Sequence, residues 1–223
     1  MISSRNKALA IAILIGGKSS RFGSDKGLFE FRGKALIDYQ LDTISRFNHK
    51  IFLIANSMQQ VQEYIRKIDF KKVTGFIIDE DEPVNNQESN IPLLGLYSAF
   101  KELKNLDYEK VLVLPCDIPL VKYEVILYLI EQCKHYDCCI PKWSNNLLEP
   151  LLAIYPVKKV YETSLKNLKT SQYKLTKIID KKWKTNYISI EQEIKKIDPL
   201  LLSFENINKR EDIRNLELNL VKN

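Results

Sequence analysis

A glycine-rich segment near the start of the 223-residue chain carries residue types that bind phosphate groups. Four of the chain's seven glycines lie in the segment Leu14–Gly27, together with the cations Arg21 and Lys26. Glycine lets backbone N–H groups turn toward a phosphate, and the two cations can follow a phosphate chain. An ordinary surface loop is the competing interpretation, but the apolar strand before it favours a phosphate site.

Two widespread phosphate-binding motifs are absent from this segment. Gly17-Lys18-Ser19 has the ending of a P-loop, but Ala12 stands where that motif requires its first glycine. The G-x-G-x-x-G spacing of dinucleotide-binding folds is also missing. The loop therefore belongs to another class of phosphate site.

Asp117 is the second residue suited to chemistry, in the sequence Val111-Leu-Val-Leu-Pro-Cys-Asp-Ile-Pro119. Here a single carboxylate follows an apolar strand, and two prolines prevent early helix formation. A carboxylate is a hard oxygen ligand for Mg²⁺, which binds through one or two carboxylates plus substrate phosphates. The alternative is that Asp117 caps a helix that begins near Lys122.

Alternating strands and helices are predicted to position these residues. Short, continuous apolar runs predict strands covered on both faces at Leu9–Ile15, Ile51–Ala55, Gly75–Ile78 and Val111–Leu114. Helical patterns follow them at Ile37–Phe47, Gln59–Ile68, Leu94–Leu106 and Glu124–Cys133. This order predicts a mostly parallel sheet with helices on both faces, and ligands at the carboxyl ends of its strands.

The second half of the chain is less regular. It predicts a strand, a helix, a further strand and a terminal helix at Leu151–Tyr155, Val157–Leu168, Asn186–Ile190 and from about Asn208. We find no linker and no internal repeat, so residues 1–223 are predicted to form a single domain.

Composition excludes several classes of protein. With 45% hydrophobic and 28% charged residues the chain is typical of a globular α/β domain. No apolar run approaches the roughly 20 residues of a membrane span. Arg5, Lys7 and the run Ala8–Ile15 imitate a short secretory signal, but no cleavage site follows. Four cysteines are too few for a disulfide scaffold, so we expect a cytoplasmic protein.

Charge is concentrated in the second half. Lys158–Lys196 contains eleven lysines and four acidic residues, within a net charge of +6. Such a segment binds phosphorylated ligands or forms solvated helix faces. No nucleic-acid-binding signature accompanies it, so we expect neither nucleic acid nor membrane as a partner.

The glycine-rich segment resembles the signature of MobA-like nucleotidyltransferases, the molybdenum cofactor guanylyltransferase type. That signature, L-x-G-G-x-S-x-R-x-G-x-D-K, is matched by Leu14, Gly16, Gly17, Ser19, Arg21, Gly23, Asp25 and Lys26. The family's following G-K-x-L and its metal-binding C-D-x-P are matched at Gly33–Leu36 and Cys116–Pro119.

The resemblance implies a Rossmann-like nucleotidyltransferase of the GT-A type, with nucleotide bound by about 8–120 and acceptor by about 121–216. It implies transfer of GMP from GTP to molybdopterin, Mg²⁺ as cofactor, and molybdoenzymes or cofactor-assembly proteins as partners. The implied catalytic residues are Arg21, Lys26 and Asp117, with Asp117 as metal ligand. The implied nucleotide-binding residues are Leu14, Ile15, Gly16, Gly17, Lys26, Asn56, Asp79, Gly95 and Asp117. The implied acceptor-binding residues are Glu149, Pro150, Asn206 and Asn208.

Several of these assignments have alternatives. Asp81 competes with Asp79, and Ile91 replaces the first glycine of the family's G-P-L-x-G turn. Asn56 is also suited to a turn, and Asn206 to satisfying buried backbone groups. Asn208 and Glu211 have the spacing of a helix capping box.

Other interpretations of the chain stay open at this point. Cys133, His135, Cys138 and Cys139 lie close together, but their spacing matches no standard zinc site. Guanine is favoured over cytosine because cytidylyl relatives tend to carry alanine-glycine at Gly16-Gly17. The competing functions are cytidylyl transfer, activation of a sugar phosphate or cofactor precursor, and a non-catalytic GTP-binding adaptor.

Overall fold

The computed structural model of the protein describes residues 7–16, 25–79, 91–208 and 211–213. Its centre is a seven-stranded sheet, formed by β1 (Lys7–Leu14), β4 (Lys50–Ala55), β5 (Gly75–Ile78), β6 (Tyr108–Pro115), β7 (Cys138–Lys142), β8 (Ala153–Pro156) and β9 (Thr185–Ser189). A separate hairpin consists of β2 (Glu30–Phe31) and β3 (Lys34–Ala35). The α-helices are α1 (Leu36–Ile44), α2 (Met58–Lys67), α3 (Pro92–Asn105), α4 (Tyr123–Gln132) and α5 (Val157–Lys169).

The strand order is β5-β4-β1-β6-β8-β7-β9, and β8 alone in this sheet runs antiparallel to its neighbours β6 and β7. The chain first builds outward from β1 through β4 to β5, and then returns to place β6 on the other side of β1. Strand order therefore reverses between β1 and β6. In open α/β sheets, ligands bind at such a switch point, outside the carboxyl ends of the strands.

Helices cover both faces of the sheet, which explains why the strands are continuously apolar. Ile11 and Ile13 of β1 join a buried cluster with α1, α2 and α4, whereas Ala10 and Ala12 join a second cluster with α3 and α5. Successive side chains of a strand point to opposite faces, so every position of β1 from Ala10 to Leu14 is buried on one side or the other.

The hairpin β2–β3 connects the glycine-rich segment to α1. Its turn places Arg32 and Gly33 at φ values of 50° and 74°, the left-handed conformation that two-residue hairpin turns require. On either side of it, Leu36 N–H donates to Phe29 O at 3.0 Å and Ile37 N–H donates to Gly27 O at 3.0 Å. The end of the glycine-rich segment is thereby fastened to the start of α1.

The predicted α/β class and mostly parallel sheet are confirmed. The strand Gly75–Ile78 matches its predicted bounds, and the other predicted strands and helices up to residue 190 are found with ends shifted by at most three residues. The hairpin β2–β3 and the sheet strand β7 were not predicted. At the terminal helix, 211–213 are helical and the following residues lie outside the described part. None of the described helices is long and apolar enough to cross a membrane.

Candidate active site

The carboxyl ends of β1 and β6 lie side by side at the switch point. Leu14 pairs with Pro115 across the two strands, and Cys116 N–H donates to Leu14 O at 3.0 Å. The start of the glycine-rich segment therefore meets the segment that contains Asp117. Parallel strands bring these chemically distinctive loops to one edge of the sheet.

Lys26 connects three distant parts of the chain. Its Nζ lies 3.4 Å from Asp117 Oδ2 and donates to Asn208 Oδ1 at 2.8 Å. The Lys26 and Asp117 side chains are 19% and 23% exposed, so both are partly shielded yet reachable by a ligand. The structure thus brings together one predicted phosphate-binding cation, the predicted metal ligand and one predicted acceptor residue.

The beginning of the glycine-rich segment is held by β4. Both Ile15 N–H and Gly16 N–H donate to Ile54 O, at 3.0 and 3.1 Å. A Cβ at Gly16 would meet Asn56 only at an ordinary contact distance of 3.6 Å, so no described protein atom requires glycine there. Gly17 and Arg21, two further predicted site residues, lie outside the described residues.

Asp25, next to Lys26, is surrounded by hydrogen-bond donors from α2 and the loop itself. Asp25 Oδ1 accepts from Tyr64 Oη at 2.6 Å and from Gly27 N–H at 3.0 Å, and Oδ2 accepts from Gln60 Nε2 at 2.5 Å. Sequence analysis did not assign Gln60 or Tyr64. Their i, i+4 spacing is the pattern of any helix face buried against a core.

Asp79 and Gly95 lie together at the end of β5. Asp79 Oδ1 is buried and has no hydrogen-bond partner in the part of the chain that the structure describes. Burial raises the pKa of Asp79 from 3.8 to about 6. A Cβ at Gly95 would lie 3.1 Å from Asp79 Oδ1, so glycine leaves space for this carboxylate. The alternative, Asp81, lies outside the described residues.

The C-terminal segment is fastened beside Asp117. Ile207 N–H donates to Asp117 O at 2.8 Å. Further back, Ser203 Oγ accepts from Lys122 N–H at 3.0 Å, while the buried Asp198 accepts from Ser203 N–H at 2.9 Å and lies 3.3 Å from Lys122 Nζ. The N-cap residue of α4 is Lys122, with no side-chain capping hydrogen bond among the described residues, so Asp117 is not the cap of this helix.

The capping box predicted for Asn208 and Glu211 is not found among the described contacts, and only a single backbone bond to another carboxylate takes its place. Asn208 N–H donates to Asp212 Oδ2 at 2.7 Å, one residue beyond Glu211. The Asn208 side-chain oxygen accepts from Lys26. Asn208 therefore lies at the junction of the terminal helix and the site.

A cavity of about 310 Å³ opens beside Asp117. Its lining includes all four predicted acceptor residues, Glu149, Pro150, Asn206 and Asn208. Glu149 is oriented by Trp143, whose Nε1–H donates to Glu149 Oε1 at 2.6 Å, and Tyr155 Oη donates to Pro150 O at 2.7 Å. Asn206 is exposed and contributes to the cavity rather than to the core.

Cys138 and Cys139 are not placed to share a metal ion, and Cys116 is not placed to act as a nucleophile. Cys138 and Cys139 face opposite sides of the sheet, in different buried clusters, so they cannot bind one ion. Among the described residues, no group of three or more His, Cys, Asp or Glu side chains could hold a metal. Burial raises the pKa of the Cys116 thiol, so it stays protonated beside Asp117.

A lysine and a carboxylate at the switch point of a doubly wound sheet, next to a cavity, form the arrangement typical of a nucleotide-binding α/β protein. The sequence model of the MobA-like NTP transferase domain matches residues 11–185. The chain belongs to this family of nucleotidyltransferases.

Individual relatives agree with that membership. A Pyrococcus horikoshii protein named probable molybdenum cofactor guanylyltransferase is 34% identical over 212 residues, 92% of this chain and 97% of its own. An Aquifex aeolicus protein of the same name is 28% identical, over 96% of this chain and 92% of its own. The solved molybdopterin-guanine dinucleotide biosynthesis protein A of Archaeoglobus fulgidus has the same fold, with a TM-score of 0.74 and 24% identity over 96% of this chain and 100% of that one.

Proposed function

We propose that this protein transfers GMP from GTP to the terminal phosphate of molybdopterin in the cytoplasm, releasing pyrophosphate. The observation that carries the proposal is the meeting of Lys26, Asp117 and Asn208 between the glycine-rich segment and the cavity. The names of the relatives, molybdenum cofactor guanylyltransferases, support the choice of substrates.

Asp117 is suited to hold Mg²⁺ during the reaction. Its carboxylate is partly exposed and lines the cavity. Among the described residues, no group of three or more His, Cys, Asp or Glu side chains could hold a metal ion. This donor set fits Mg²⁺, which takes one or two carboxylates and completes its shell with phosphates and water. Bound there, the ion would supply charge neutralisation at the phosphates.

The attacking phosphate of molybdopterin is already an anion, so the reaction requires no strong general base. Its barrier is mainly repulsion between anions and loss of orientation. The Lys26 ammonium would neutralise charge that develops on the leaving pyrophosphate, with Arg21 as the second cation. Asn208 would hold Lys26 Nζ toward the reacting groups in the absence of ligand.

The half-buried Asp79 carboxylate supports guanine as the base. Guanine presents two adjacent donors, N1–H and N2–H, which match the two oxygens of a carboxylate. Cytosine offers a single donor group beside acceptors, which a carboxylate repels. Asp79 would thus gain the hydrogen bonds that its Oδ1 lacks. Leu14, Ile15, Gly16, Asn56 and Gly95 would form the remainder of the nucleoside site, within the nucleotide-binding part of about 8–120.

The cavity beside Asp117 would receive the acceptor, within the part of about 121–216. Glu149, Pro150, Asn206 and Asn208 line it, as does Leu175. The adjacent Lys174, and Lys166 and Lys169 in the last turn of α5, would attract the acceptor's phosphate. Neutralising these lysines should raise the KM for the acceptor. An unchanged KM would remove the basic segment from the proposal.

The decisive experiment measures pyrophosphate release and dinucleotide formation with molybdopterin, Mg²⁺ and each nucleoside triphosphate in turn. We expect turnover with GTP, and weaker turnover with CTP. Preference for CTP would contradict the base assignment, and turnover only with a sugar phosphate would contradict the acceptor. Binding of GTP without turnover would instead identify an adaptor.

Gly16→Ala provides a sharp test of the base assignment. A Cβ at this position meets only ordinary contacts in the ligand-free chain, so the variant should fold normally. If Gly16 lies against the guanine nucleotide, the added methyl group should raise the KM for GTP more than the KM for CTP. An equal rise in the KM for GTP and the KM for CTP would show that Gly16 does not select the base.

A further inference from the structure

Helix α2 contacts the glycine-rich segment through two buried polar residues that the proposed mechanism does not use. Gln60 is 8% exposed and Tyr64 is fully buried. Both donate to the Asp25 carboxylate, at 2.5 and 2.6 Å. With the Gly27 N–H as a third donor, each oxygen of Asp25 is occupied. Asp25 thus serves the fold of the loop, in contrast to Asp117, which faces the cavity.

Gln60 connects three segments of the site through one carboxamide. Its Nε2 donates to Ile15 O at 2.9 Å as well as to Asp25, and its Oε1 accepts from Asn56 N–H at 2.9 Å. The amide uses both N–H groups and its carbonyl oxygen. The ends of β1 and β4 and the far end of the glycine-rich segment are thereby fixed relative to one another.

Tyr64 presses against the loop backbone next to Lys26. A Cβ at Gly27 would lie 2.2 Å from the Tyr64 hydroxyl oxygen, so the phenol requires glycine at this position. Burial raises the pKa of Tyr64 well above its ordinary value, so the hydroxyl remains a hydrogen-bond donor. The residues on both sides of Lys26 are therefore held by α2.

From these contacts we propose that Gln60 and Tyr64 are positioning residues that orient Lys26 toward Asp117 through Asp25. The kinetic part of this proposal rests on the proposed function. Lys26 has a long, flexible side chain, and its reach to Asp117 and Asn208 depends on where the backbone between Asp25 and Gly27 is held. Breaking the α2 contacts should release Lys26 without removing it.

The first test does not depend on catalysis. Lys26 in the intact, ligand-free protein is labelled with an amine-reactive ester, and the rate at which Lys26 is modified is measured by peptide mass spectrometry. We expect Tyr64→Phe and Gln60→Leu to raise the labelling rate of Lys26 about tenfold, the effect of losing a hydrogen bond to a charged group. Unchanged labelling in both folded variants would overturn the proposal.

The chain offers a matched control for each substitution. Tyr128 donates to the Glu193 carboxylate at 2.9 Å, so Tyr128→Phe removes an equivalent phenol–carboxylate bond outside this site. Gln59 is the exposed neighbour of Gln60 on the same helix, and Gln59→Leu controls for the loss of an amide. Both controls should leave Lys26 labelling unchanged. An equal rise in the controls would show general loosening and overturn the specific role.

The second test asks whether Tyr64 acts on turnover through Lys26. Tyr64→Phe should lower kcat about tenfold with a smaller change in the KM for GTP. In a Lys26→Ala background it should have no further effect, because its target is absent. The same factor in both backgrounds would overturn the path through Lys26. If the unaltered protein transfers no nucleotide, the proposed function fails, whereas the labelling result still decides the positioning.

Discussion

Replacing Asp79 with asparagine should stabilise the ligand-free protein at neutral pH and weaken its binding of GTP. Asp79 is half-buried, its buried Oδ1 lacks a hydrogen-bond partner among the described residues, and desolvation raises its pKa from 3.8 to about 6. Ionising this group therefore costs more in the folded protein than in the unfolded chain. The neutral amide of asparagine avoids that cost.

The size of the effect follows from the pKa displacement. A change from 3.8 to about 6 corresponds to about 3 kcal/mol of unfolding free energy. Between these pKa values the native state binds more protons than the unfolded state, so this group makes stability fall as pH rises. The loss is nearly complete about one pH unit above 6. At pH 4 the unfolded carboxyl is already partly ionised, so the stability of Asp79→Asn relative to the unaltered protein should rise by about 2.4 kcal/mol from pH 4 to pH 8.

Urea unfolding followed by circular dichroism at both pH values measures this difference, and any constant cost of the new amide cancels. Asp107→Asn, which alters an exposed carboxylate at a turn, is the control. The same stability difference between Asp79→Asn and the unaltered protein at pH 4 and pH 8 would refute the assignment of a desolvated carboxylate. If Asp79 accepts from guanine, calorimetry near pH 5.5 should also detect proton release when the unaltered protein binds GTP, but not when the variant does.

Three further predictions concern the site and the core. Asp117→Ala should abolish pyrophosphate release, and Lys26→Ala should lower kcat at least about a hundredfold; a normal rate would remove either residue from the mechanism. Gly27→Ala should cost about 1–3 kcal/mol of stability in urea unfolding because its Cβ would overlap the Tyr64 hydroxyl. In a Tyr64→Phe background, which lacks that hydroxyl, Gly27→Ala should cost much less, and an equal cost in both backgrounds would contradict the overlap. Phe100→Ala, at a fully buried position of α3, should cost about 3–5 kcal/mol in the same assay. A far smaller loss would contradict its burial between α3 and the sheet.

Six of the seven strands of the sheet were predictable because local sequence decides them. The strand β7 was missed because its five residues include Pro141 and two cysteines, which do not form a clear apolar run. A strand buried on both faces requires a continuous apolar run, and β5 has the bounds that this rule predicts. The hairpin β2–β3 was missed because each strand has only two residues, too few for any periodic pattern. The pair Arg32-Gly33 forms its turn, but this pair alone does not predict a hairpin, because the flanking strands show no pattern in the sequence.

The chemically unusual residues could also be predicted, but their contacts could not. Lys26 lies 91 residues from Asp117 and 182 from Asn208, distances over which no local pattern operates. Gln60 shows the limit most clearly. A glutamine one turn before a buried tyrosine predicts only a helix face, and its role depends on partners from three other segments. Likewise, the sequence predicted Glu211 as the partner of Asn208, whereas Asn208 N–H donates to Asp212. Spacing alone does not determine which of two neighbouring carboxylates accepts this hydrogen bond.

The contact between Lys26 and Asn208 also has a consequence for the growing chain on the ribosome. Because the two residues are 182 positions apart, translation at about 5–20 residues per second separates their appearance by roughly 10–40 s. During that interval β1, β4, β5 and β6 can pair, since all four precede residue 116. During this interval Asn208 has not yet been synthesised, so of the two partners described above only Asp117 is available to the Lys26 ammonium. Asn208 arrives with the segment whose Ile207 N–H donates to Asp117 O, so a segment synthesised late completes the contacts of a loop synthesised early.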